Sequence, residues 1–157
     1  MVATAEFTPE ERNLLVRLPR WVVGAASAAH TDRAARTRRE IENGFLSVAA
    51  GRQLGNPLVA ELADACLKIF DEDLKLSGID PYTTEGRDLV LQYAKMAVDI
   101  LRAKAEPIDA TVYRRWLLSI TDDVITVVKT FGGAQIHPDD RAFRQRLADI
   151  TRGTAQA

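Results

Sequence analysis

Helix-start chemistry recurs along this chain and constrains the fold more than any other feature. In "FTPEERNLLVRL" Thr8 is placed to cap a helix, Pro9 fits the first helical position where no amide donor is needed, and Glu11 completes a capping box. Thr37 and Glu40 spell a second capping box ahead of "REIENGFLSVAAGR", which predicts a helix ending near Gly51 or Gly55. Asn56-Pro57 opens "PLVAELADACLKIFDEDLKL", and Ser77-Gly78 supplies its stop. After the turn "SGIDPYTT" comes "EGRDLVLQYAKMAVDILRAKAE". Pro107 and Asp109 then open a fifth helix that Gly132-Gly133 closes, and His137-Pro138 begins the last, "PDDRAFRQRLADIT". Every long segment between these signals has helical period and none alternates as a strand does. The prediction is an all-α domain of about six helices in a bundle-like or irregular array, a single unit over 1–157 with 1–7 and 153–157 as loose ends.

Packing expectations follow from the same periodicity. Pro19 removes a helical hydrogen bond and clashes with the preceding turn, so the first helix kinks there or breaks; the sequence leaves both open. Its continuation is uncharged from Trp21 to Ala29 and reads as buried, with Gly24 and Ala28 one turn apart to admit another helix closely. The third helix is expected to bury Leu58, Leu62, Cys66 and Ile69. In the fourth, Leu89, Tyr93, Met96, Ala97 and Ile100 share one face opposite a narrow stripe of Asp88, Gln92, Lys95, Asp99 and Arg102, which predicts a central position.

Composition excludes several functions. The 157 residues hold 21 basic against 22 acidic side chains, so no broad attraction to nucleic acid or an anionic membrane is expected. The basic run "DRAARTRRE" is nearly cancelled by Asp32, Glu40 and Glu42 and carries no aromatic residue for stacking on bases. The N-terminus lacks a signal-peptide pattern and no segment is apolar enough to span a bilayer, which predicts a cytoplasmic protein. Cys66, the only cysteine, reads as a small core residue. Neither His30 nor His137 follows a glutamate at the spacing of a helical di-iron site, and no cofactor or metal is expected. Asp73, Ser77 and Gly78 match positions of a calcium loop, but Lys75 and Thr84 stand where ligands belong. No nucleophile elbow, phosphate loop or dinucleotide fingerprint occurs, so no catalytic residue is assigned and the chain leans away from being an enzyme.

The stretch "YRRWLLSITDDVITVVKTFGG" concentrates what remains. Wound at about 100° per residue, it gathers Tyr113, Trp116, Leu117, Ile120, Val124, Val127, Val128 and Phe131 on one face. Arg115 and Asp122 fall opposite, as solvent positions. Arg114 and Asp123 fall at the boundary, where a charge pairs with a neighbouring helix or snorkels along its stem. Leu118 and Ile125 widen the apolar arc, which predicts burial on two sides or contact with another subunit.

With "IHPDDRAFRQRLADI", "VAAGRQLGNPLV" and "RWVVGAASAA", this stretch resembles a group of uncharacterised bacterial helical proteins whose C-terminal half has a Tyr-x-x-Trp-Leu helix, a glycine turn and a final helix with a polar start. The resemblance spans most of the chain; it implies a compact helical fold and no known activity. The helix, glycine turn and acidic-start helix are also similar to tellurite-resistance TerB-like domains, without their acidic metal-binding pattern. Two functional readings follow. One is an interaction or scaffold protein that forms a homo-oligomer or binds a protein partner through an apolar helical face. The other is a small-molecule pocket between helices lined by Trp21, Tyr93, Met96 and Trp116, with Arg114 or His30 orienting an anionic group and Asp123 at its margin.

Overall fold

The computed structural model describes residues 6–29, 34–71, 78–125 and 138–152, leaving aside the side chains of 34–37. Within these residues the chain is all-α, with no strand: α1 Pro9–Ser27, α2 Ala34–Ala50 running into a 3-10 turn at Gly51–Gln53, α3 Pro57–Lys68, α4 Thr84–Lys104, α5 Pro107–Ile125 and α6 Pro138–Ile150. No helix among them is long and apolar enough to cross a membrane. The expected helix starts at Thr8, Asn56 and Pro107 hold because their signals are local. Thr8 Oγ1 accepts from the Glu11 amide at 3.1 Å while Glu11 Oε1 accepts from the Thr8 amide at 2.9 Å. Asn56 Oδ1 accepts from the Val59 amide at 2.9 Å, and its Nδ2 donates to Asp109 Oδ1 at 2.8 Å. Asp109 Oδ2 in turn accepts from the Glu106 amide at 3.1 Å, so one carboxylate joins the starts of α3 and α5.

Three expectations about helix ends and the chain terminus need correction. Thr37 and Glu40 do not cap α2, which is already helical at Ala34; Glu40 lies inside it, buried, and accepts from Ser27 Oγ at 2.9 Å. α3 ends at Lys68 rather than near Ser77, and Ile69 is only partly buried. Phe7, assigned to a loose end, belongs to the core. The glycine pair 132–133, His30, His137 and the calcium-like segment through Ser77 lie outside the described residues.

The centre of the molecule is α1, not α4. α1 packs on all five other helices, and its residues from Leu14 to Ser27 are buried except Arg17 and Arg20. α4 runs antiparallel beside it: Lys104 Nζ meets Glu11 Oε1 at 2.6 Å at one end, Tyr93 lies 5.3 Å from Trp21 in the middle, and Arg87 reaches Ala28 at the other end. That register turns Val90, Ala94, Ala97 and Leu101 inward and leaves Met96 and Leu89 50% and 36% exposed. The close approach to α1 is made by Gly44 of α2, where a Cβ would stand 2.5 Å from Val23 Cγ1.

Pro19 neither breaks nor ends α1, which continues unbroken to Ser27. A proline has no N–H, so the carbonyl four residues earlier, that of Leu15, has no helical donor. Tyr113 of α5 supplies one: its buried hydroxyl donates to Leu15 O at 2.8 Å.

Candidate functional site

The side chains predicted to share a pocket sit in two different helix contacts. Trp21 and Tyr93 come together between α1 and α4, tilted at 39°, with Met96 exposed on the same edge. Trp116 lies between α2 and α5, edge-on to Tyr113 at 5.7 Å, and its Nε1 donates to Ser47 O at 3.4 Å. Gly51 makes room for the indole, since a Cβ there would lie 2.6 Å from Trp116 Cε2. His30 is outside the described residues. Leu118 and Ile125 are buried, so α5 is covered on two sides within the chain.

The boundary charges of α5 have structural partners. Arg114 Nη2 donates to Ala148 O at 2.8 Å and Nε to Thr151 Oγ1 at 3.1 Å. Arg102 of α4 adds bonds to Thr151 O at 2.8 Å and Arg152 O at 3.1 Å. Two guanidiniums from other helices therefore satisfy the free carbonyls at the end of α6, which has no basic residue in its own last turn. Burial first, then the neighbouring Arg152, Arg102, Arg144 and Arg115, lowers the pKa of Arg114. The same device closes two other helices: Arg87 Nη1 donates to Ala28 O at 3.1 Å behind α1, and Arg20 Nε to Phe70 O at 2.9 Å behind α3.

Asp122 corrects the wheel. Placed on the solvent face by its angle, it accepts two bonds from Arg144 of α6, at 3.0 and 3.3 Å. Asp123 is exposed, and its carbonyl accepts from Asn43 Nδ2 at 3.0 Å. Arg115 is exposed as expected.

Cys66 is fully buried, and desolvation pushes its thiol pKa up to about 12 despite nearby Arg20 and Arg17, which act the other way. Tyr113 is likewise held well above the usual phenol value by burial. Both groups keep their proton more tightly folded than unfolded. Their contribution is intact below the unfolded thiol pKa, about 8.5, and is lost as pH rises toward the folded values. Urea midpoints should therefore fall between pH 8 and 10, and Cys66→Ala should remove the earlier part of that fall. A nucleophilic role for Cys66 has no support in this setting. Among the described residues no group of three His, Cys, Asp or Glu side chains could hold a metal.

The feature that the sequence reading missed is the outward face of α2. From Gly44 to Gly51 the chain reads "GFLSVAAG", with no charge. Gly44, Ser47, Val48 and Gly51 face the interior, while Phe45, Leu46 and Leu54 are 40%, 65% and 46% exposed with Ala50 open between them. Phe45 extends this face toward α3 through an edge-on contact with Phe70 at 5.0 Å. A helix apolar all round is normally covered on both sides, and the signal was present in that uncharged run. Set against known protein families, characterised proteins and solved structures, the chain matches none. The resemblance to bacterial helical proteins thus rests on the sequence motifs alone, and the glycine turn among them lies outside the described residues.

Proposed function

We propose that this chain is a non-enzymatic interaction protein that self-associates through the outward face of α2. The observation that carries this reading is the uncharged, all-round apolar segment Gly44–Gly51, one side of which is exposed and unpartnered among the described residues. The occupant that fits is a second copy in antiparallel register. Leu46 then faces the partner's Ala50, a large residue against a small one. Glu42, one turn before the patch, comes beside the partner's Arg52, whose guanidinium is held in the fold by a long bond to Ala49 O at 3.4 Å and a loose exposed pair with Asp64 at 3.6 Å. A twofold axis repeats both contacts. The edge of α4 is a weaker candidate, because Tyr93 and Ile100 are already partly buried there.

Size sets the expected strength. Ten helical residues span about 15 Å, which gives on the order of a few hundred Å² of face, below the roughly 800 Å² per partner of a stable interface. The dimer should be reversible, with a Kd on the order of micromolar. Size-exclusion chromatography with light scattering should show mass rising with concentration for the native chain. Leu46→Glu should weaken dimerisation more than about tenfold without changing Tm, since the side chain is already largely in solvent. A native chain that stays monomeric at several hundred micromolar would overturn the reading.

A further inference from the structure

A cleft of about 220 Å³ opens between the end of α1 and the first turns of α4 and α6. It lies apart from the α2 face and owes nothing to self-association. Its floor includes the buried ring of Phe143, and its walls carry Arg87, Asp88, Asp139 and Arg146. Arg87 is fixed before anything binds, because its Nη1 donates both to Ala28 O at 3.1 Å and to Pro81 O at 2.9 Å. Arg146 Nη1 stands 2.8 Å from Asp88 Oδ1, yet that oxygen has no well-aligned hydrogen bond. The pair is about half exposed and can rearrange at little cost.

The charges decide the class of ligand. Among the described residues that line it, two guanidiniums and two carboxylates sum to zero, so a simple cation or anion finds no net attraction there. A solute with both charges a few ångströms apart can face an arginine and an aspartate at once. At roughly 30 Å³ per water, the volume admits about seven waters, which suits a solute of roughly ten heavy atoms and is below the usual drug-sized range. We propose that this cleft binds a small zwitterion of the α-amino acid class. Its carboxylate lies toward Arg87 and Arg146, its ammonium toward Asp88 and Asp139, and its side chain over Phe143.

L-valine tests this with two controls that each keep one charge, isobutylamine and isovalerate. In amide NMR titrations of the full chain, valine should shift Thr84, Arg87 and Ala142 saturably, while either control shifts them at least tenfold more weakly. Asp88→Asn should weaken valine binding about tenfold with the spectrum otherwise intact, and Leu46→Glu should bind valine like the native chain. Absence of saturation by valine at tens of millimolar, equal binding of isovalerate, or an unaffected Asp88→Asn would overturn the proposal.

Discussion

Tyr113→Phe should destabilise the protein by about 1–3 kcal/mol, although it removes one oxygen atom from a side chain that solvent does not reach. The reason lies on another helix. Pro19 deprives Leu15 of its helical donor, and the Tyr113 hydroxyl is the group that donates to that carbonyl, at 2.8 Å. Without the hydroxyl, a buried carbonyl is left unsatisfied in the most central helix of the fold. Pro19→Ala restores the missing amide. In that background Tyr113→Phe should cost less by about 1 kcal/mol or more, so urea unfolding of the four proteins should yield a coupling energy between sites 94 residues apart in sequence. Equal cost in both backgrounds would show that the carbonyl does not depend on the tyrosine.

Trp116→Ala should be more damaging, at about 3–5 kcal/mol, because it empties a buried site bounded by Tyr113, Ser47 and Gly51. Gly51 carries the matching half of this prediction. A Cβ at that position would press to 2.6 Å from Cε2 of the indole, with Nε1 and Cζ2 also closer than 3.0 Å. Gly51→Ala alone should therefore cost about 1–3 kcal/mol through overpacking. With Trp116→Ala present, the obstacle is gone and the added methyl should be nearly neutral. Thermal unfolding of the single and double variants reads this loss of additivity directly.

Helix boundaries were legible where the deciding contacts are local. Thr8, Asn56 and Pro107 each act within one turn of their own helix, so sequence spacing suffices to find them. Thr37 and Glu40 show the limit of that logic: the spelling of a capping box is there, but the helix starts earlier and Ser27 of α1 claims the carboxylate. Facing was less legible than existence. α4 is apolar over a broad arc, and only the position of α1 decides that Val90 turns inward while Leu89 and Met96 turn outward.

Among the charges of α5, Arg114 pairs with a neighbouring helix as its boundary position predicts, whereas Asp122 departs from the wheel for a related reason. A wheel ranks both by angle alone, whereas their partners sit on α6 and its end: the Ala148 carbonyl and the Thr151 hydroxyl for Arg114, and a guanidinium for Asp122. The Tyr113 contact was within reach of the sequence. A proline inside a helix orphans the carbonyl four residues earlier, and a tyrosine on the apolar face of another helix is a natural donor for it. The α2 face was also within reach, as a run of eight residues without charge whose two sides cannot both face one short core.

The central functional claim is that copies of this chain meet across that face. Cys66 is buried and its thiol remains protonated at neutral pH, so an introduced surface cysteine becomes the only reactive one. Ala50→Cys treated with a short bis-maleimide should give covalent dimer rapidly at micromolar concentration, many-fold faster than Gln92→Cys on the polar side of α4. Equal rates for the two variants, or no dimer from Ala50→Cys, would contradict the account.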